Sequence, residues 1–226
     1  MTEPEKHMEK NKEPRRKWKK VIIYGDSIST GSHGEGGYAC LLKEALGICE
    51  AENHAMASSG LAAVTPHSMV SILEYGPHVL DEERNLIIVW HGSNDWYWGT
   101  PLGRRGEGPN TFRGAIDYTI SCLKKWYPLS DLVWLTPLER SQRPYGMERI
   151  KGYSGENLAG SYLSEYSAEI KNAGALYGFP VIDMAELTRT AELDINIHFE
   201  DRIHPNRAGY LIISRIMNEE IRKQYG

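Results

Sequence analysis

The sequence predicts an α/β protein with one parallel sheet covered on both faces, and three observations carry that expectation. Short apolar runs of strand length alternate with longer segments of helical periodicity, the pattern of βαβ crossovers. The runs are apolar throughout rather than alternating, as strands buried on both faces are. The Gly-, Ser-, Asn- and Asp-rich turns follow the runs directly, at the sheet edge where open α/β proteins hold their ligands.

Val21-Ile22-Ile23-Tyr24 is the first such run, closed by Gly25. Apolar residues at 38, 41, 42, 45 and 46 then keep helical spacing, and residues 49–53 read as a second strand. Residues 85–90 form the strongest strand signal in the chain. Residues 111–126 are amphipathic, with Phe112, Ala115, Ile116, Ile120 and Leu123 on one stripe. Leu132-Val133-Trp134-Leu135 is another strand, ended by Thr136-Pro137. A long helix is expected over 158–177, a short strand at 180–182 and a closing helix over 208–221. Two irregular stretches, 96–110 and 138–157, are long enough to be functional loops.

At 226 residues the chain suggests one domain, and 41% hydrophobic with 25% charged residues is an ordinary globular balance. A net charge of −4 and a pI near 6.1 give no reason to expect nucleic acid as a partner. No apolar run approaches a membrane span. Residues 1–20 stand apart as a charged lead-in, with eight Lys/Arg and four Glu; their sum of +4 leaves −8 on residues 21–226. They hold no apolar segment of a secretory leader, so a cytoplasmic location is expected. Cys40, Cys49 and Cys122 are odd in number and lack metal-site spacing, and their apolar neighbours suggest reduced, partly buried thiols.

Chemistry gathers after the strands. Gly25-Asp26-Ser27-Ile28 places a hydroxyl where the first strand gives way to a loop; a serine there needs a base within hydrogen-bond reach. The base candidate is His204 in Asp201-Arg202-Ile203-His204-Pro205-Asn206. Pro205 biases His204 to an extended conformation, Asn206 can cap the closing helix, and Asp201 can orient the imidazole. His91-Gly92-Ser93-Asn94-Asp95 follows the strongest strand, and the Asn94 amide could serve an oxyanion. Gly60, after the second strand, could offer a backbone N–H at close range. Each motif alone is also an ordinary turn; together they supply a nucleophile, a base pair and two kinds of oxyanion donor.

With these four blocks in order, the sequence resembles the SGNH hydrolases, also named GDSL-like esterases and lipases. Gly25-Asp26-Ser27-Ile28, residues 53–60, Gly92-Ser93-Asn94-Asp95 and Asp201-Arg202-Ile203-His204-Pro205 match the family's blocks. Arg202 departs from the small residue common at its position. The resemblance implies a three-layer α/β/α sandwich with a parallel, flavodoxin-like sheet, acyl transfer by Ser27, His204 and Asp201, and an oxyanion hole from Ser27, Gly60 and Asn94. It implies no metal or organic cofactor. The substrate expected is a small-molecule or carbohydrate ester with a short acyl group, probed by Asp26, His91, Trp96, Tyr97, Trp98, Arg104 and Arg140. The three rings can equally cover the sheet edge, and the arginines can be solvated loop charges. Lysophospholipid or thioester hydrolysis is the alternative within the family. Outside it stand a sugar-binding module and a metal-dependent hydrolase using His91, Asp95, Asp201 and His204, which no HxH or HExxH spacing supports. The sequence leaves acyl length, alcohol and oligomeric state open.

Overall fold

A computed structural model describes residues 17–76, 79–190 and 193–226. Its sheet has five strands: β1 (Lys20–Gly25), β2 (Glu50–Asn53), β3 (Leu86–Trp90), β4 (Asp131–Leu135) and β5 (Val181–Ile182). They pair in parallel in the order β2-β1-β3-β4-β5. Right-handed crossovers on both sides of β1 are the usual way to build that order, and they put a topological switch between β1 and β3.

Period-two alternation sends successive strand residues to opposite layers. Val21, Ile23, Leu86, Ile88, Val133 and Leu135 pack with Leu42 of α1 (Ala39–Leu46) and with Tyr210, Ile213 and Met217. The last three lie on the closing helix, Arg207–Tyr225. Ile22, Tyr24, Ile87, Val89 and Trp134 pack on the other face. There they meet α2 (Met69–Tyr75), α4 (Phe112–Trp126) and α5 (Leu163–Tyr177) through residues such as Leu73, Ile116 and Ile170. The result is the three-layer α/β/α sandwich with a flavodoxin-like parallel sheet that the sequence predicts. The remaining helices are α3 (Ser93–Trp98) and α6 (Met184–Thr190), so the closing helix is α7.

The differences from expectation are local. α5 begins at Leu163 rather than at 158 because Asn157 folds the chain into a turn: its Oδ1 accepts the N–H groups of Ala159 and Ser161. Helices α2, α3 and α6 were not expected. Cys40 and Cys49 are exposed and Cys122 is intermediate, so the first two are not the buried thiols their neighbours suggested. Most of the charged lead-in lies outside the described residues. Its end does not: Lys20 opens β1, and Trp18 Nε1 donates to Asp131 Oδ2 at 2.7 Å. Among the described residues no helix is long and apolar enough to cross a membrane.

Candidate active site

Ser27 lies two residues past β1, in a turn that needs a small residue before it. A Cβ on Gly25 would stand 2.3 Å from Ser29 Oγ. Ser27 Oγ is 2.8 Å from His204 Nε2, and His204 Nδ1 is 2.7 Å from Asp201 Oδ2. Asp201 Oδ1 also accepts the backbone N–H groups of Ile203 and His204, so one carboxylate fixes both the loop and the ring. Partial burial pushes this carboxyl up, but those bonds outweigh it and hold it at about 2. Pro205 pairs with Phe199 in an isolated antiparallel bridge, and the Asn206 side chain accepts the Gly209 N–H to start α7. The helix start thus sets the position of the histidine.

The arrangement can deliver a hydroxyl proton from Ser27 to an imidazole held in one tautomer. Around it stand the oxyanion candidates. Ser27 lines the pocket, and its N–H has no partner among the described residues. Asn94 also lines the pocket; its Nδ2 donates to the Ser59 carbonyl at 2.9 Å and lies 3.4 Å from Asp26 Oδ2. Gly92 precedes it at φ 123°, where a β-carbon is strained.

Gly60 stands apart from the other oxyanion candidates. Its N–H donates to Thr65 Oγ1 at 3.1 Å, while that hydroxyl donates to the Ala62 carbonyl at 2.7 Å, and Gly60 does not line the pocket. The residue of this loop that lines it is Ser58. Ser58 has φ 63°, a left-handed conformation that a non-glycine residue seldom adopts away from functional sites. Its N–H has no partner among the described residues. The position was hidden in the sequence because neither left-handed backbone nor a free N–H is written in a serine.

The pocket has a volume of about 330 Å³ and continues from Ser27 and His204 to Tyr97, Trp98, Arg140 and Gln142. Tyr97 and Trp98 are half-buried along it. Trp96 is not part of it: the ring packs into the core between sheet and helices, 5% exposed. Consecutive helical residues point about 100° apart, so three neighbouring rings on α3 cannot share one face. His91 is also misplaced. It is buried behind the pocket, 1% exposed, and among the described residues neither ring nitrogen has a partner beyond a loose approach to the Ser59 backbone. Burial pushes this imidazole down to about 3. Arg104 lies on an exposed loop outside the pocket lining.

Asp26 does line the pocket. Burial raises its carboxyl to about 6 against the pull of the Ile28 N–H and the Arg140 charge. Asp95 is fully buried and structural: it accepts the N–H groups of Leu61 and Ala62, tying α3 to the loop after β2. Burial lifts it to about 6 as well. The four residues considered as metal ligands do not converge; among the described residues no three His, Cys, Asp or Glu side chains form such a cluster.

One feature had no signal in the sequence. His33 stacks on His204 with ring centroids 4.0 Å apart and planes within 5°. Its Nδ1 is 2.8 Å from Glu200 Oε2, and Glu200 Oε1 accepts the Gly34 N–H. Nothing in residues 33 and 200 announces that tertiary folding will lay a second imidazole–carboxylate pair over the first.

Residues 23–212 match the GDSL-like Lipase/Acylhydrolase family. No curated protein matches the chain. Among solved structures, a protein from Lactobacillus plantarum superposes with a TM-score of 0.78 at 22% identity, covering 93% of this chain and 100% of that one. The lipase/acylhydrolase from Enterococcus faecalis gives 0.57 at 15% identity, over 92% and 97%. An acetylxylan esterase from Geobacillus stearothermophilus gives 0.61 at 16% identity, over 90% and 94%. At these identities the likeness is one of fold. The family match spans the strands and the turns that carry Ser27, Asn94 and His204, and by it the chain belongs to the GDSL-like lipase/acylhydrolase family.

Proposed function

We propose that the chain is a serine esterase that removes a short acyl group, acetyl above all, from a carbohydrate-like alcohol. The observation that carries the reading is the unbroken relay Ser27–His204–Asp201, at 2.8 and 2.7 Å, opening on a small pocket. Ser27 Oγ attacks the ester carbonyl as His204 Nε2 takes its proton; the alcohol leaves with that proton, and water repeats the sequence on the acyl-enzyme. The oxyanion is received by the Ser27 N–H, the Ser58 N–H and the Asn94 Nδ2 proton that otherwise makes the long 3.4 Å approach to Asp26 Oδ2, with Ser58 in place of Gly60. Removing one such donor typically costs about 10²–10³ in kcat, so Asn94→Ala should fall in that range.

A short acyl group fits the lining. Ile28 and Ile203 are its aliphatic members, and a cavity of about 330 Å³ that must also hold the alcohol leaves little room for a long lipid tail. Tyr97 and Trp98 supply flat faces for the alcohol, and Tyr145 extends them, its ring 5.3 Å from that of Trp98. The acetylxylan esterase shares the fold, so the substrate reading rests on this pocket rather than on that neighbour.

One reagent tests both halves of the reading. A serine-directed phosphonate should abolish hydrolysis of 4-nitrophenyl acetate, and EDTA should leave it unchanged. In a structure of the adduct, the phosphonyl oxygen should lie about 3 Å from the N atoms of Ser27 and Ser58. Chelator-sensitive activity surviving in Ser27→Ala, or faster turnover of the octanoate than of the acetate, would overturn the proposal.

A further inference from the structure

Arg140 is the cation of this pocket, and its surroundings are unusual for a partly buried guanidinium. Nη1 donates to Ser93 Oγ at 2.9 Å, and Nη2 donates to Gln142 Oε1. The guanidinium carbon stands 5.1 Å from the centre of the Tyr97 ring and 5.9 Å from that of Trp96. Nε is buried without a hydrogen-bond partner. Among the described residues no carboxylate comes within ion-pair distance of it, although Arg84, Arg105, Arg113, Arg189, Arg207 and Arg215 each have one.

The two acidic groups near enough to act on it are committed elsewhere. Asp201 is held by His204 and the backbone of its own loop. Asp26 accepts the Ile28 N–H and the approach of Asn94 Nδ2. A guanidinium taken partly out of water without an ion-pair partner costs stability that a protein seldom spends for nothing. Here it is fixed by neutral groups, over the Tyr97 ring, in the same pocket as Ser27 and His204. Ser93 and Gln142 orient it without cancelling its charge.

We propose that Arg140 is a subsite for an anionic oxygen group, carboxylate or phosphate, on the alcohol half of the substrate. The inference rests on the esterase reading above and narrows its substrate class to acidic carbohydrate-like esters. A guanidinium gives such a group paired, charge-assisted hydrogen bonds, and a site partly shielded from water strengthens them. The anion binds before and after acyl transfer alike, so the subsite acts on KM more than on kcat.

Three aryl acetates of similar size test it: 4-acetoxybenzamide, 4-acetoxybenzoate and 4-acetoxyphenyl phosphate. Each is assayed with the wild type, Arg140→Gln and Arg140→Lys, so that leaving-group differences cancel in the ratio between enzymes. The anionic-to-neutral ratio of kcat/KM should be at least about tenfold higher in the wild type than in Arg140→Gln, carried by KM. Arg140→Lys should retain part of the preference. The benzoate and phosphate arms separate the two sources of the anion, and a preference for either supports the subsite. Equal losses on all three esters in Arg140→Gln would mean that the guanidinium only shapes the pocket, and would overturn the inference while leaving the esterase reading intact. A wild type inactive on every ester overturns the esterase reading itself, and the inference with it.

Discussion

The turn after β3 and the loop before α7 each carry a histidine beyond the carboxyl edge of the sheet, and the two rings live in opposite conditions. His204 is engaged at both nitrogens, by Asp201 on one side and Ser27 on the other, and it opens on the pocket. His91 is more deeply buried, neither ring nitrogen has a partner among the described residues beyond a loose approach to the Ser59 backbone, and burial drives its proton affinity down. Position at the sheet edge therefore does not make a base. A base needs a carboxylate to hold the proton-bearing nitrogen and a hydroxyl facing the free one, and only the later loop supplies both.

The strongest way to break that comparison is to take the partners from His204. Ser27→Ala and His204→Ala should each lower kcat/KM by about 10⁴-fold or more, since members of such a unit act together. Asp201→Asn should cost less, about 10³-fold, because the Asp201 side chain is 49% exposed and water can take over part of its role. Steady-state kinetics on 4-nitrophenyl acetate checks all three. A loss under tenfold in Asp201→Asn would mean that the loop backbone orients the ring by itself.

The second test concerns His91 and reads stability rather than rate. An unfolded histidine titrates near 6.5, whereas the buried ring stays neutral to about 3. Between those values the unfolded chain binds a proton that the native chain refuses, so the native state loses stability as pH falls. The slope is about 1.4 kcal/mol per pH unit. Asp26 and Asp95 work the other way from about 6 down to 4, because the native state protonates them first. They are common to the wild type and to His91→Leu, and so cancel in the difference between the two. The wild type should lose ground to the variant from pH 6 to pH 4 in urea denaturation. A pH-independent difference would mean that the ring finds a partner in solution.

The contrast also explains what could be read from the sequence. β1, β3 and β4 were legible because strands buried on both faces must be apolar throughout, and Val21, Ile88 and Val133 say so without help from context. The sequence singled out Ser27, Asn94, Asp201 and His204 as candidates, and the fold brings Ser27, His204 and Asp201 into one hydrogen-bonded row with Asn94 in the same pocket lining as Ser27 and His204. α2 left a signal that could have been taken, since Ser68 caps it and Met69, Val70 and Leu73 share its buried side. α3 left almost none. Its six residues are polar and aromatic, and it is held by Asp95 reaching Leu61 and Ala62 across the fold. Reading it as a loop made Trp96, Tyr97 and Trp98 equivalent, and only helical geometry separates the core ring from the two pocket rings. At φ 68° Arg202 occupies the left-handed region, which favours the small residue common at its position; nothing in the structure explains the arginine.

The smallest expected effect sharpens the comparison with a third imidazole. His33 has a carboxylate on Nδ1, as His204 does, but no serine faces it; it offers a ring face instead. A stacked pair is worth about 0.5–1 kcal/mol beyond its burial, and that attraction helps to hold the His204 plane toward Ser27. His33→Ala should therefore lower kcat/KM about two- to fivefold, the rate equivalent of that energy. His33→Phe keeps a flat face and gives up the bond to Glu200, so it should recover most of the loss if stacking is what matters. Glu200→Gln separates the other contribution, because it leaves the ring while weakening the grip that fixes the loop through His33 and Gly34. Recovery in His33→Phe with a near-normal Glu200→Gln assigns the effect to the ring face. The reverse pattern assigns it to the loop, and His33 is then a strut for the His204 segment rather than a neighbour of its π system.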